Sequence, residues 1–171
     1  MDVLIRREAP SDWARVETVV RHAFGRPEEA QLVARLRTFD GVLSLVAIAE
    51  ATVVGHVMFS PVTAGGVHAS PAAYGLAPVA VAGDWQGRGV GSRLIDAGLQ
   101  ELRQARVGVI VVLGHPSYYP RFGFVAATPL GLRCKWGGEG GAFQVLELVP
   151  GAAATYRGMV EYLPAFNESA W

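Results

Sequence analysis

Cysteine is scarce in this sequence, because Cys134 is the single one among 171 residues. One cysteine excludes an internal disulfide framework and a thiolate zinc cluster, and it is typical of a reducing compartment. The first residues, MDVLIRREAPSDW, contain a very short apolar run that is flanked by an acidic residue and two arginines. A signal peptide has a longer apolar region. No stretch approaches the ~20 apolar residues that cross a membrane. We therefore expect a cytoplasmic protein with no membrane partner.

The sequence also lacks an excess of charge of either sign. It has 15 Lys and Arg residues against 15 Asp and Glu residues, which gives a formal net charge of zero. Such a balance provides no long-range attraction to nucleic acid, so we expect no nucleic-acid partner. Hydrophobic residues make up 51% of the chain, which suits one compact domain with a substantial core. We predict a single domain over residues 1–171.

Histidine spacings typical of metal sites are absent as well. The four histidines, at positions 22, 56, 68 and 115, are scattered and form no HxxxH or paired spacing. Cys134 lies beside basic residues in GLRCKW, but a lone cysteine of this kind is more often incidental than a nucleophile. We expect no metal.

The apolar pattern of the first half predicts strands and two helices. VLIRREAP is typical of a strand, after which Ser11 is expected to cap a helix that ends at Gly25. A second helix is predicted over PEEAQLVARLRTF, and the β-branched segments LSLVAIAE and TVVGHVMFSPV predict an antiparallel hairpin. The next strand, AAYGLAPVAVAG, contains Pro78, which cannot donate to a ladder and so predicts a bulge or splayed pairing.

The second half begins with an amphipathic helix that places Leu94, Ile95, Gly98, Leu99 and Leu102 on one face. The unbroken apolar run VGVIVVLG is expected to be a strand buried on both faces. HPSYYPRFGF predicts a short turn or helix, and FQVLELVPG a late strand. The order β, α, α, β, β, β, α, β, α, β, β predicts an α/β fold with a mixed sheet and helices on both faces.

Residues 79–102, VAVAGDWQGRGVGSRLIDAGLQEL, run from a strand through a glycine-rich loop into that helix. The first turn of a helix presents N–H groups and the positive end of its dipole, and glycines let a phosphate approach closely. No Gly-Lys-Ser/Thr follows, so the loop is not a P-loop. The third glycine of a dinucleotide fingerprint is replaced by Ser92. A phosphate site and a merely tight connection both remain open from these residues alone.

Several features together resemble the GNAT superfamily of N-acetyltransferases. Gln86, Gly89 and Gly91 form a Q-x-x-G-x-G motif behind the strand that contains Pro78. The segment YYPRFGF is similar to the aromatic-Tyr-x-x-x-Gly-Phe segment that follows the fifth strand of that family. The order of elements agrees over nearly the whole chain. LGHPSYYPRFGF and GLRCKW further look like the YhbS-like branch, predicted acetyltransferases whose substrates are poorly defined.

The resemblance implies a fold and a cosubstrate. The fold would be that of the acyl-CoA N-acyltransferases, with a central, mostly antiparallel mixed sheet that splays between strands 4 and 5. The cosubstrate would be acetyl-CoA, and the Val81 N–H is a candidate donor to its thioester carbonyl. Gly89 and Gly91 are expected to tolerate no side chain, and Gly83 departs from the proline common in the family. The implied cofactor-binding residues are Val79, Val81, Gln86, Gly87, Arg88, Gly89, Val90, Gly91 and Ser92.

The resemblance also implies a general acid. Tyr119 aligns with the tyrosine that often protonates the leaving thiolate, and a phenol with a pKa near ~10 carries its proton at neutral pH. The alternative is that Tyr118 and Tyr119 are aromatic packing. Pro120 is expected to restrain the backbone of Tyr119 away from the helical region.

The general base is less clearly indicated. Many relatives place a glutamate on the fourth strand, but AAYGLAPVAVA contains no carboxylate. His115 follows the fifth strand and has a suitable intrinsic pKa, so it is the leading catalytic candidate beside Tyr119. The alternatives are that His115 only caps a strand end, and that Glu28, Glu29 or an ordered-water relay serves as the base.

These features favour an acetyl-CoA-dependent N-acetyltransferase that acts on a primary amine of a small molecule, peptide or protein. A catalytically weak CoA-binding sensor or interaction module and a purely structural α/β protein are the alternatives. The acceptor pocket is expected from the first two helices, from GRPEE and from GLRCKWGGEGG, with Arg133, Lys135 and Trp136 at its border. The acceptor itself is not indicated, and a monomer and a homodimer both remain open.

Overall fold

The computed structural model describes residues 2–65 and 72–168. Strands and helices alternate along the chain, and short 3-10 turns connect several of them. The strands and helices are β1 (Leu4–Arg7), α1 (Trp13–Phe24), α2 (Glu28–Leu36), β2 (Leu43–Ala49), β3 (Thr52–Ala64), β4 (Ala73–Val81), α3 (Val90–Gln104), β5 (Val109–Leu113), β6 (Val125–Ala126), β7 (Leu132–Cys134), β8 (Phe143–Glu147) and β9 (Gly158–Glu161). Among the described residues, no helix is both long and apolar enough to cross a membrane.

The chain forms two compact units, and neither is a continuous segment. Unit 1 comprises the described residues of 1–59, 77–100 and 164–170, and unit 2 comprises those of 60–76 and 101–163. β3, β4 and α3 each contribute residues to both units.

The sheet of unit 1 is built on an antiparallel hairpin. β2 and β3 pair from Leu43 opposite Phe59 to Ala49 opposite Thr52, and β1 pairs with the other edge of β2. Glu50 and Ala51 form the connecting turn with φ values of 50° and 60°, as a two-residue hairpin loop requires. The hairpin predicted from the β-branched segments is confirmed.

Helix α3 packs directly on β3 in unit 1. A Cβ added at Gly98 would lie 2.6 Å from Cζ of Phe59, and one added at Gly55 would lie 2.9 Å from Cδ1 of Leu94. Two glycines therefore allow the helix and the strand to approach more closely than larger residues would. The apolar face predicted for this helix is confirmed, because Leu94, Ile95, Leu99 and Leu102 are buried.

The other face of β3 carries a polar cluster in which His56 is buried and Ser44, Glu8 and Arg37 are partly buried. We call it the His56 cluster. Nε2 of His56 lies 2.8 Å from Oγ of Ser44, and Ser44 donates to Oε2 of Glu8 at 2.8 Å. Arg37, directly after α2, donates from Nε to the same Glu8 oxygen at 3.1 Å. Gly55 and His56 are neighbours in β3, so they face opposite sides of the sheet. Helix α3 packs on the Gly55 side, and Arg37, directly after α2, reaches the His56 side. The prediction of helices on both faces is therefore confirmed within unit 1.

Unit 2 contains the parallel part of the sheet. β4 and β5 pair in parallel from Ala73 opposite Val109 to Gly75 opposite Val111, although β4 continues to Val81. This limited register confirms the predicted splay between strands 4 and 5, and the Ala77–Pro78 peptide is cis. β8 pairs antiparallel with β5 and β6, while β9 pairs antiparallel with the end of β3 and parallel with β7.

Some local predictions were wrong. Ser11 does not cap α1, because Pro10–Asp12 forms a 3-10 turn and Asp12 precedes the helix. The Asp12 carboxylate accepts from the Ala9 N–H at 2.7 Å and pairs with Arg6, so it fixes the start of the helix instead. Gly25 does end α1, with φ of 70° and an N–H that donates to the Arg21 carbonyl.

Candidate functional site

The connection from β4 to α3 lies in unit 1 and has the geometry of an anion site. A 3-10 turn at Gly83–Trp85 follows the strand, and Gly87 and Gly89 then adopt φ values of 70° and 78°. L side chains rarely adopt such values, so both glycines are required by the backbone. The Gly89 carbonyl accepts from the Arg93 N–H at 3.0 Å, which begins α3.

The loop lies open to solvent in front of the helix. Gln86, Gly87, Arg88 and Gly89 are exposed, whereas Val90, the first helical residue, is only 2% exposed and anchors the helix. A Cβ added at Gly87 or Gly89 would meet no atom within 4 Å. The space beside these glycines is therefore free for a ligand, and the donors of a helix N-terminus favour an anionic one. The residues present fit a bound pyrophosphate.

Gln86 connects this loop to the end of the strand. Its Nε2 donates to the Val81 carbonyl at 2.9 Å, so the side chain positions the loop. Val79 and Val81 are both half-buried on β4. The predicted contacts of these two valines and of Gln86 with a cosubstrate remain predictions.

Arg88 has a partner that sequence reasoning missed. Its guanidinium carbon lies 5.4 Å from the centre of the Trp85 ring, within the range of a cation–π interaction. The tryptophan therefore limits the orientations of an exposed cation at the mouth of the glycine loop. An aromatic residue three positions before an arginine is a weak sequence signal, and only the intervening turn brings the two together.

Tyr119 lies in unit 2 and is buried, with 8% of its surface exposed. Its ring packs against Tyr118 and Phe124 at centroid distances of 5.1 and 5.7 Å. Burial, with a smaller contribution from Tyr118, raises the pKa of Tyr119 to about 12, so the phenol is protonated at neutral pH. The expectation that Pro120 keeps Tyr119 out of the helical region was wrong. Tyr119 begins a 3-10 turn that is closed by a bond from the Gly123 N–H to the Pro120 carbonyl.

His115 follows β5 in the same unit, and its side chain is exposed. The His115 carbonyl accepts from the Tyr118 N–H at 3.1 Å and from Nε2 of buried Gln144 at 3.3 Å. The backbone is thus held in place beneath an accessible imidazole. Of the alternative bases, Glu29 is buried in unit 1 and both of its oxygens accept from Nε of Arg26, at 3.0 and 3.1 Å.

Unit 2 also contains an open cleft of about 680 Å³, which we call the glycine cleft. Of the three residues expected at the border of the acceptor pocket, Arg133 lines this cleft, whereas Lys135 and Trp136 are not among its lining residues. Lys135 instead stacks over the Trp136 ring at 4.8 Å, and Trp136 packs on Tyr162 at 5.1 Å. Glu139, which lies in the segment GLRCKWGGEGG but was not singled out from the sequence, also lines the cleft.

Nothing in the geometry makes Cys134 a nucleophile or indicates a metal centre. Burial raises the pKa of the Cys134 thiol, which keeps it protonated at neutral pH. Within residues 2–65 and 72–168, no three His, Cys, Asp or Glu side chains group as metal ligands would. His68, one of the four histidines considered from the sequence, lies outside the described residues.

Comparison with known proteins identifies the class to which this fold and loop belong. Residues 10–124 match the sequence profile of the acetyltransferase (GNAT) family. The chain belongs to the GNAT family of acetyltransferases. The family, the fold and the enzyme class expected from the sequence are therefore confirmed.

Relatives cover nearly the whole chain. The chain is 39% identical over 168 residues to the uncharacterized N-acetyltransferase YhbS of Escherichia coli K12, covering 96% of this chain and 99% of the relative. The crystal structure of E. coli YhbS in complex with CoA superimposes with a TM-score of 0.88, covering 96% and 92% of the two chains. A GNAT family acetyltransferase from Brucella melitensis, in complex with acetyl-CoA, is 36% identical with a TM-score of 0.79, covering 96% of this chain and 98% of the other.

Proposed function

We propose that this protein is an acetyl-CoA-dependent N-acetyltransferase that transfers the acetyl group directly to a primary amine. The observation that carries the proposal is the exposed glycine loop, whose left-handed Gly87 and Gly89 leave open space in front of α3. The CoA and acetyl-CoA complexes of the two relatives described above support the same cosubstrate for this chain.

The reaction requires no covalent enzyme intermediate. The neutral amine nitrogen attacks the thioester carbonyl carbon, so a C–N bond forms and the C–S bond breaks. The amine gives up one proton, the sulfur gains one, and the products are an amide and the free CoA thiol. The protein must therefore bind the anionic end of the cosubstrate, stabilise the oxyanion and move one proton from nitrogen to sulfur.

The predicted residues suit these tasks. The first-turn amides of α3, the loop residues 86–89 and the Arg88 guanidinium would hold the pyrophosphate. The backbone of Val79 and Val81 would meet the pantetheine arm, and the Val81 N–H would donate to the thioester oxygen. Tyr119 would give a proton to the thiolate, and the exposed His115 would receive one from the amine.

Calorimetric titration with acetyl-CoA tests the cosubstrate. We expect the wild type to bind and Gly89→Glu to lose binding, because the new side chain and its charge occupy the anion position. Gly25→Glu is the matched control: Gly25 also has a positive φ, 70°, and no atom within 4 Å of an added Cβ, but it ends α1. Absence of binding by folded wild-type protein, or equal loss in both variants, would contradict the proposal.

A catalytically weak CoA-binding module remains the second candidate function. It is favoured by the absence of any carboxylate in β4, Ala73–Val81. The two candidates differ in turnover, because only an enzyme releases the CoA thiol when an amine is added. A thiol-release assay with a panel of primary amines separates them, and CoA binding without release would favour the module.

We further propose that residues 1–171 act as one catalytic domain in the cytoplasm. The discontinuity of both units supports one domain, and the free Cys134 suits a reducing compartment. A single cooperative urea transition and recovery in the cytosolic fraction are the expected results. Light scattering would decide between monomer and homodimer.

A further inference from the structure

The glycine cleft of unit 2 has the size of a small-molecule site. Its volume of about 680 Å³ falls within the range of clefts that hold metabolites. Four glycines on one side, at positions 137, 138, 140 and 141, have positive φ values. A Cβ added at Gly137 or Gly140 would meet no atom within 4 Å, so these positions leave room inside the cleft.

The loop that forms this side is anchored rather than loosely attached. A Cβ added at Gly138 would overlap the Phe143 side chain, which shows that the loop lies against β8. The Gly114 N–H donates to the Ala142 carbonyl at 2.9 Å, and an added Cβ at Gly141 would lie 3.9 Å from Cβ of Pro116. The loop therefore adjoins the segment that carries His115 and Tyr119.

Two opposite charges line the cleft. Arg133 projects from β7 and Glu139 from the segment 137–141, and both residues are exposed. Within the described part of the chain, neither side chain forms an ion pair or hydrogen bond with another residue. A guanidinium favours bidentate contact with a carboxylate, and a carboxylate favours an ammonium group. Both charges are thus available to one ligand.

The remaining wall of the cleft is apolar or neutral. It includes Ala126, Pro129 and Met159, together with Cys134, whose thiol stays protonated because burial raises its pKa. Such a wall suits an aliphatic chain. A ligand that matches Arg133, Glu139 and this apolar wall carries a carboxylate at one end, an amine at the other and methylene groups between them.

We propose that the glycine cleft binds the amine acceptor, and that this acceptor is a small zwitterion in which an aliphatic chain joins a primary amine to a carboxylate. Arg133 holds the carboxylate, and Glu139 attracts the ammonium form that predominates at neutral pH. The assignment as acceptor rests on the proposed acetyltransferase function.

Three zwitterions of increasing length, glycine, 4-aminobutyrate and 6-aminohexanoate, test the proposal in the thiol-release assay. Butylamine, which lacks the carboxylate, is the comparison acceptor. We expect at least one zwitterion to give a kcat/KM roughly tenfold or more above that of butylamine, because a carboxylate–arginine pair adds binding. Equal or better turnover of butylamine would overturn the proposal.

Variants of the two charged residues test whether the preference for a zwitterion over butylamine arises in the glycine cleft. Arg133→Gln is expected to raise the KM of the preferred zwitterion roughly tenfold and to leave the KM of butylamine unchanged. Glu139→Gln is expected to raise the KM of both acceptors, because both carry an ammonium group. Arg157→Gln and Glu161→Gln are the matched controls, since both residues are exposed in unit 2 and neither lines the cleft.

Failure of this inference is distinguishable from failure of the proposed function. If acetyl-CoA binds and butylamine releases thiol, but Arg133→Gln changes no zwitterion KM, the cleft assignment is wrong and the acetyltransferase stands. Turnover of a lysine-containing peptide but of none of the three zwitterions would also overturn the cleft assignment. If folded wild-type protein does not bind acetyl-CoA at all, the proposed acetyltransferase function is wrong, and the cleft needs a separate test. Titration of the zwitterions without cosubstrate then tests the cleft as a binding site by itself.

Discussion

The tryptophan and arginine of the glycine loop act as a pair in which the ring restricts the cation. An exposed arginine loses much side-chain entropy when it binds a phosphate, and the Trp85 ring would reduce that loss for Arg88 because it already restricts the guanidinium. The backbone amides of the loop carry only partial charges, and the Arg88 guanidinium adds a full positive charge beside them.

Replacing Trp85 by leucine is expected to weaken acetyl-CoA binding about two- to fivefold, the value of an exposed cation–π contact. Trp85→Phe should retain most of the affinity because a ring remains. Calorimetry on Arg88→Gln and on the double variant completes the test. If Trp85→Leu weakens binding as much in the Arg88→Gln background as in the wild type, the ring does not act through the arginine.

Tyr119→Phe is expected to lower kcat by about a hundredfold while the acetyl-CoA dissociation constant stays unchanged, because the proposed role of the phenol is to protonate the leaving sulfur and not to bind the cosubstrate. Its pKa of about 12 means that wild-type activity should not fall between pH 7 and 10 through loss of this proton. Tyr118→Phe is the control in the same segment. An unchanged kcat in Tyr119→Phe would leave the residue as aromatic packing.

At the scale of elements, the contact of α3 with β3 depends on a glycine. Inside a helix, alanine is more favourable than glycine by about 1 kcal/mol of intrinsic helix propensity. The Cβ of Gly98→Ala, however, would overlap the Phe59 ring. Overpacking of this kind costs about 1–3 kcal/mol, so we expect a net loss of stability. Urea unfolding measures the change.

The Gly98→Ala Phe59→Leu double variant should recover part of that stability, because leucine leaves room for the methyl group. Gly83→Ala is the control, since its added Cβ meets no atom within 4 Å. A Gly98→Ala variant as stable as the wild type would show that the helix can move away from the strand at little cost.

Elements with long periodic patterns were predictable, and most of the shortest strands were not, although the four-residue β1 was predicted. The β2–β3 hairpin and α3 have enough residues for alternation or helical spacing to be recognised. β6, β7 and β9 have two, three and four residues, which is too few for a period to be visible. The glycine cleft is lined partly by residues of these short strands, so its shape and its lining by Ala126 and Met159 could not be predicted from the sequence.

At the scale of the whole molecule, the glycine loop was predictable because its motif and its geometry are local. Three boundaries between the two units fall inside β3, β4 and α3, so no linker or change of composition marks them. The His56 cluster joins residues from β1 to β3 that are distant in sequence, and only the paired strands bring them together.

The His56 cluster is expected to make the stability of the protein depend on pH. Burial lowers the pKa of His56 from 6.5 to about 4; Arg37 adds to the effect and Glu8 opposes it. Between these values the unfolded chain binds a proton that the folded chain does not, so the free energy of unfolding falls as pH decreases from about 6.5 to 4. The loss over this window is on the order of 3 kcal/mol.

Urea unfolding at pH 7.5, 6.0 and 5.0 checks this dependence. His56→Gln removes the titrating group and should flatten the dependence on pH, even though it also lowers stability at pH 7.5. His22→Gln, at an exposed position on α1, should keep the wild-type slope. Equal slopes in wild type and His56→Gln would refute the assignment to His56.

The discontinuity of the two units limits how this enzyme and its relatives can exchange parts. Every residue that lines the glycine cleft lies between Ala126 and Met159, but strands in this stretch pair with residues outside it: β8 pairs with β5, and β9 pairs with the last residues of β3. A crossover between homologous genes that replaced only this stretch would therefore join strand partners from different parents. Transfer of the cleft from one homologue to another should thus require matching substitutions in β3 and β5.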